Sequence, residues 1–275
     1  MKRQSDAELE LQVRAAKEGD DIALEAVVRG IQDQVHRLSI RMLVNTEDAF
    51  EATQEILILV VTKLSTFRGD SAFRTWVYRV ATNYLLNARK YLEKDPGLNF
   101  DLYRSDLEEG LLASAPNSPE DEVLLNELRV SCTLAMLLCL DHKHRIAYIL
   151  GDILELEHAE AAHILDISRA NYRQRLSRAR NEVIAFTAET CGVTRAGAKC
   201  SCPKRLPAAI KMGRVSKHNI SYIGSDTPKY SDVVKSAHAV QQDLATLKAQ
   251  RATGQFKFPE DFANRLSEIT AVRQE

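Results

Sequence analysis

No stretch of this 275-residue chain is apolar for long enough to cross a bilayer. The greasiest run, residues 56–61, falls far short of the roughly 20 residues a helical span needs, so no membrane insertion is expected. The opening Met-Lys-Arg-Gln-Ser-Asp-Ala-Glu-Leu-Glu-Leu-Gln lacks the apolar core of a signal peptide, and a cytoplasmic location is the expectation. Charge of one sign is lacking too. Lys and Arg number 37 against 38 Asp and Glu, which excludes a protein that coats DNA by bulk charge. It does not exclude one that reads DNA with a local patch. A phosphate-cradling glycine loop, a metalloprotease helix motif and a nucleophile elbow are all missing, so no enzyme chemistry is expected. Cysteine is scarce and odd in number, five in all, and a chain of this size is stable without disulfides. The cysteines therefore read as thiols or metal ligands.

What is present is sorted. Residues 93–122 carry nine acids against only Lys94 and Arg104, whereas residues 169–180 carry five arginines and no acid. Apolar periodicity is helical from end to end, which gives an all-α expectation. Ser5-Asp6-Ala7-Glu8 has the form of a capping box for a first helix. A second helix is expected over 22–44. A third, capped by Thr46, should run to about residue 66 and take the β-branched run 56–61 into a helix buried on most sides. Ser71 is placed to cap a fourth after the turn Phe67-Arg68-Gly69-Asp70. On that helix Phe73, Val77, Val80, Ala81 and Tyr84 make an apolar stripe. Trp76, Arg79, Asn83, Asn87 and Lys90 recur on another side at steps of three and four. Taken alone, that second face reads as solvated surface with a half-buried tryptophan.

Residues 95–119, with prolines at 96, 116 and 119, read as a flexible acidic linker with a short helical turn. A strongly apolar helix follows over 123–140, holding Cys132 and Cys139 as small core residues. Shorter helices are expected at 144–154, 158–165 and 168–187. The last two have helix-turn-helix rhythm, with Ser168 as the cap of an arginine-rich second helix that could enter a major groove. An ordinary amphipathic surface helix is an equal reading of that pattern alone.

Three motifs in order carry a resemblance. Asp48-Ala49-Phe50-Glu51-Ala52-Thr53-Gln54-Glu55, the run from Phe67 through Arg74-Thr75-Trp76-Val77-Tyr78-Arg79 to Asn83, and Arg175-Leu176-Ser177-Arg178-Ala179-Arg180 resemble the extracytoplasmic-function (group IV) sigma factors over residues 5–188. The resemblance implies an all-α protein that binds core RNA polymerase and directs promoter recognition and melting. It divides the chain into sigma region two (1–92), an acidic linker (93–122), sigma region four (123–188) and a cysteine-containing extension (189–275). It implies polymerase contacts at Asp48, Glu51, Gln54 and Glu55. Contacts to the melted −10 element fall to Trp76, Arg79, Asn83, Asn87, Arg89 and Lys90. Duplex −35 contacts fall to Ser168, Arg169, Asn171, Arg173, Gln174, Arg175 and Arg178, with Arg175 and Arg178 on phosphates. An anti-sigma factor is a further partner the resemblance admits. Two departures stand out: Asp166 where glycine is usual in the turn, and Tyr172 where a small aliphatic is usual. Competing readings are a stand-alone helix-turn-helix regulator and a metal- or thiol-sensing adaptor.

No cofactor is required by this reading. Cys191, Cys200 and Cys202 with His218 are weighed as a four-ligand zinc site, against unligated thiols. Farther on, one helix over 230–251 with Val233, Ala237, Val240, Leu244 and Leu247 in a stripe is expected, then another opened by Pro259 with Phe262, Leu266 and Ile269. The extension should pack on the second DNA-reading domain, since such a stripe cannot bury itself.

Overall fold

A computed structural model describes residues 5–115, 121–218 and 220–264, and it is all helical apart from one isolated bridge between Cys191 and Cys200 among the described residues. Backbone contacts divide the chain into two compact units. One takes residues 1–94, 162–167 and 256–275; the other takes 95–161 and 168–255.

The first unit is built on α1 (Asp6–Lys17), α2 (Asp21–Leu43), α3 (Thr46–Thr62) and α4 (Phe73–Asn87), followed by the short α5 (Arg89–Leu92). Ser5 caps α1 through the Glu8 amide at 3.2 Å, as its sequence promises. The other two caps differ from expectation. Asn45, one residue earlier than Thr46, accepts the Asp48 amide at 2.9 Å, and α3 ends at Thr62 in a 3-10 turn, Leu64–Thr66. At α4 the cap comes from another helix: Glu10 of α1 accepts the Phe73 amide at 2.8 Å, while Ser71 bonds elsewhere. A carboxylate at a helix N-terminus satisfies an orphan donor and complements the helix dipole at once.

Leu9 and Val13, Val27, Ile31, Val35 and Leu38, Ala52, Ile56 and Val60, and Phe73, Val77 and Ala81 close the core of these four helices. Each large side chain so buried contributes about 1.5–3 kcal/mol. The run 56–61 is indeed helical, with Ile58 alone exposed among its large residues. Arg74 crosses this core. Its guanidinium meets Asp6 (2.8 Å), the Gly30 carbonyl (3.0 Å) and Gln34 Oε1 (3.0 Å), while Gln34 donates back to the Arg74 carbonyl at 3.0 Å. One residue of the tryptophan motif is thus a tie between α1, α2 and α4.

His36 is buried in α2. Thr53 Oγ1 gives its proton to the Ala49 carbonyl (2.6 Å), so the His36 Nδ1–H donates to Thr53 at 3.1 Å. Burial pushes the imidazole down to about 4, outweighing the favourable field of Asp33. Because the folded value lies below the unfolded 6.5, the unfolded chain takes up this proton first. Stability is therefore full above about pH 6.5 and falls toward pH 4, by roughly 3 kcal/mol over the window. Thermal melts of the protein and of His36→Gln between pH 4 and 7.5 should show a flatter profile for the variant; parallel profiles would contradict this.

The second unit contains α6 (Phe100–Glu108), α7 (Glu122–Leu138), α8 (His142–Tyr148) continued by a π-turn (Ile149–Ile153), α10 (Arg169–Thr190), α11 (Cys202–Lys211), α12 (Tyr230–His238) and α13 (Gln242–Arg251). The intervening α9 (His158–Ile164) leads into α10 through a tight turn.

The acidic segment differs from the flexible linker its composition suggests. Asn99 caps α6, whose Tyr103 and Leu107 are buried in a cluster with Met136, Cys139 and Phe186. Its charges are partnered as well. Asp106 is bridged by Arg214, Arg104 by Glu189 (3.0 Å), and Asp95 by Arg145 (2.9 Å). Composition gave the charge excess but not the basic partners, which lie up to 108 residues away.

The extension packs on α7 up to residue 255, as expected, but residues 256–264 pack on α2 and α3 of the first unit instead. Leu124, Leu125 and Leu128 share a core with Val193, Cys202, Leu206, Ala209, Val215, Val233 and Ala249. Glu127 adds a polar tie, its buried carboxylate accepting the amides of Ser221, Tyr222 and Ile223 at 2.8–3.2 Å. The single helix expected over 230–251 is broken at 239–241 into α12 and α13. The break shifts the register: Val233 and Ala237 are buried as expected, but Leu244 is exposed and Ala245 and Ala249 face inward. Of the last expected stripe Phe262 is buried, while Leu266 and Ile269 lie outside the described residues.

Candidate nucleic-acid interface

The aromatic-polar side of α4 borders a hollow of about 320 Å³ lined by Leu59, Lys63, Thr66, Trp76, Arg79, Val80, Asn83 and Tyr84. Trp76 is fixed by Phe73 (ring centroids 5.6 Å, 25°) and Phe67 (5.6 Å, 51°), yet remains partly exposed. Phe67 and Phe73 are both buried, so the turn and the first residue of α4 serve as backing for the indole. Three expected residues, Trp76, Arg79 and Asn83, therefore meet at one concavity. A ring wall, an amide and the Lys63 cation suit an unstacked base and its phosphate. Arg79 is paired with Asp166 at 3.3 Å and reaches a phosphate only by exchanging that partner.

Lys63 and Thr66 carry no site signal in the sequence, and Tyr84 reads there as part of the apolar stripe. Lys63 and Thr66 follow the end of α3 and are carried to α4 only by the fold.

Asn87 lies at the end of α4, with its side-chain amide donating to the Asn83 carbonyl at 2.7 Å. The side chain of Arg89 lies outside the described residues. Lys90 differs from expectation: it pairs with Glu51 (2.9 Å) and Glu55 (3.7 Å) instead of standing free for phosphates. Lys94 similarly holds Asp48 at 2.5 Å. Three of the four residues expected to face polymerase are thus engaged by lysines. Such surface pairs are worth about 0–1 kcal/mol and exchange readily for a partner's charges.

On the helix-turn-helix, Ser168 caps α10 by accepting the Asn171 amide at 3.2 Å. Arg169, Asn171, Arg173, Gln174 and Arg178 are exposed, Arg175 is half-buried, and none of these arginines has a protein partner among the described residues. Arg180 is different. It forks onto buried Asp152 (2.9 and 2.5 Å) and is a structural residue of this helix.

Both departures from the usual pattern are accommodated. Asp166 takes the left-handed turn conformation at φ +54°. Tyr172 is fully buried, its hydroxyl donating to the Ala147 carbonyl at 3.2 Å. The room for it comes from Gly151, where an added Cβ would collide with the tyrosine hydroxyl and lie 2.9 Å from Leu176. Gly151→Ala should therefore destabilise by about 1–3 kcal/mol. Gly151→Ala combined with Tyr172→Leu should recover most of that in denaturant melts, and an additive double variant would contradict the coupling.

Cys191, Cys200 and Cys202 come together, but with Cys132 of α7 in place of His218. The four thiols line a cavity of about 30 Å³ with Met136, Arg129 and Arg205, and exposed His218 is not part of its lining. Burial pushes Cys132 up to about 11 and Cys200 up to about 12, so these thiols stay protonated and unreactive near neutral pH. Among the described residues no group of three or more His, Cys, Asp or Glu is arranged to hold a metal ion. The C-x-C spacing showed that two of these cysteines were near in sequence; it carried no sign of Cys132, sixty residues before them.

Residues 27–94 match Sigma-70 region 2, and residues 131–183 match Sigma-70 region 4. Among solved structures, CnrH in complex with the cytosolic domain of CnrY is similar at TM-score 0.46 and 20% identity, covering 64% of this chain and 94% of that one. The ECF RNA polymerase sigma factor SigW of Bacillus subtilis (strain 168) is 29% identical over 177 residues, covering 61% of this chain and 90% of that protein. The ECF RNA polymerase sigma-E factor of Escherichia coli (strain K12) is 31% identical over 176 residues, covering 62% and 90%. With both sigma regions present in order and a relative of that identity matched over nine-tenths of its length, the chain belongs to the ECF RNA polymerase sigma factors.

Proposed function

We propose that the hollow on α4 takes an unstacked base of the promoter −10 element during melting, and that α10 reads the −35 element as duplex. The setting is the family's activity, which is this chain's: it binds core RNA polymerase and directs promoter recognition and melting for transcription initiation. The observation that carries the residue-level reading is the meeting of Trp76, Arg79 and Asn83 at one concavity beside Lys63. Trp76 supplies a stacking wall, Asn83 an amide for a base edge, and Arg79 and Lys63 cations for the backbone. A base must leave the duplex to enter such a hollow, so binding there favours the open form over the closed one.

On α10, Arg169, Asn171, Arg173 and Gln174 lie in the N-terminal turns of the helix, where side chains reach base edges. Arg175 and Arg178 hold phosphates, and the Ser168 cap sets the start of the helix. Two arms separate these roles. Arg173→Ala should lose about 1–3 kcal/mol of discrimination at one −35 position, whereas Arg178→Ala should weaken all duplexes alike and reduce the salt slope by about one.

The experiment for the hollow is photo-crosslinking of thio-substituted −10 bases in the complete holoenzyme. Adducts should map to residues 63–66 and 76–84; adducts confined to α10 would refute the assignment.

A further inference from the structure

The side of α2 made by Arg29, Gln32, Asp33 and His36 recurs at steps of one helical turn, yet it is polar and lies under other chain. Residues 256–264 cover it. Phe258 is buried, stacked on Phe50 of α3 (5.0 Å, 17°) and edge-on to His36 (5.3 Å, 63°). The Arg41 guanidinium sits 4.8 Å from the Phe256 ring centre. Asp33 accepts the Phe258 amide at 3.0 Å, and Gln32 accepts the Phe262 amide at 3.2 Å. Arg29 Nε reaches both oxygens of Asp261 (2.9 and 3.2 Å), and its Nη2 donates to Asn264 at 2.9 Å. At the α3 edge Gln54 donates to Glu260 at 3.5 Å.

A helix face with a charge or amide at each turn is the composition of a partner-facing surface, whereas the true core of α2 is its Val27–Ile31–Val35–Leu38 side. The covering segment is complementary to it: two aromatic anchors two residues apart, then Glu260 against Gln54 and Asp261 against Arg29. The covered area is continuous with Gln54, one turn from Glu51 and beside Glu55. We propose that residues 256–264 are an intramolecular occupant of the surface of α2 and α3 that receives core RNA polymerase, and that polymerase displaces them on binding. This rests on the reading that α3 faces polymerase through Glu51, Gln54 and Glu55. A tethered occupant acts at an effective concentration in the millimolar range, so a modest contact is enough to compete with a tight partner.

The test is the affinity of purified core polymerase for full-length variants, read by equilibrium titration. Asp261→Arg places two guanidinium groups together and should release the segment, tightening polymerase binding by about tenfold. Phe258→Ala should do the same through loss of the anchor. Arg29→Asp with Asp261→Arg restores the pair with reversed sign and should return affinity toward that of the unaltered chain. A peptide of residues 254–266 added to Asp261→Arg should compete with polymerase. Unchanged or weaker polymerase binding in Asp261→Arg and Phe258→Ala would overturn the proposal, the weaker case making the segment part of the interface. Glu55→Arg separates the two layers. If it weakens polymerase binding while the tail variants do nothing, the tail proposal alone fails. If it has no effect, the placement of polymerase on α3 fails and the proposal falls with it.

Discussion

Trp76→Ala should cut open-complex formation by roughly 5- to 150-fold while leaving binding to duplex promoter nearly unchanged. The range is the about 1–3 kcal/mol by which alanine weakens base–aromatic stacking, converted to a rate or equilibrium ratio. The asymmetry follows from position, because the indole borders the α4 hollow and duplex recognition is assigned to α10. Trp76 also packs on Phe67 and Phe73, so some loss of stability accompanies the change. Two further variants separate the effects. Trp76→Phe keeps the ring against Phe73 and should retain most opening. Asn83→Ala touches no core and should lose opening with an unaltered melting temperature. Permanganate reactivity of the −10 region against filter binding of the closed complex gives both readouts. Equal loss of both would remove Trp76 from the melting step.

Arg145→Met should be the most destabilising single change in the second unit, by about 3–5 kcal/mol and roughly 10 °C in Tm. This arginine is 2% exposed and holds the end of α7 shut. Its Nε donates to the Leu137 carbonyl (2.9 Å), and its Nη2 meets Leu138 (3.2 Å), Leu140 (3.0 Å) and Asp95 (2.9 Å). Methionine fills similar space but takes a donor from three carbonyls, that of Leu137 keeping the Leu140 amide (3.2 Å), and leaves Asp95 with the Gly97 amide (3.0 Å) and His142 (3.1 Å). Burial depresses the guanidinium's pKa, though Asp95 opposes this, and the group stays charged at any ordinary pH. Asp95→Asn, which keeps an acceptor and removes only the charge, should cost less than half as much. A Met variant that melts within 2 °C (roughly 1 kcal/mol) of the unaltered chain would contradict this account.

Legibility from sequence followed the range of the interactions involved. Helix identity was local and came through: Ser5 and Ser168 cap where their spacing says, and the run 56–61 folds as a helix despite its β-branched residues. The face Trp76–Arg79–Asn83 came through because one helix presents all three. What failed was nonlocal. Glu10 caps α4 from 63 residues away, and Lys90 is drawn to Glu51 and Glu55. Cys132 joins the three cysteines of the extension, and α6 is buried rather than free in a linker. No period or motif carries those pairings. Tyr172 is the instructive middle case. It is a departure where a small aliphatic is usual, but Gly151, unremarkable in the sequence, supplies its space.

The most direct measurement of the central claim is transcription from a supercoiled promoter library with purified core polymerase and this chain as the only sigma factor. The account predicts specific initiation at sites sharing a −35 and a −10 element, lost with Trp76→Ala and relaxed at one −35 position by Arg173→Ala. No specific initiation, with a control sigma factor active on the same polymerase, would contradict it.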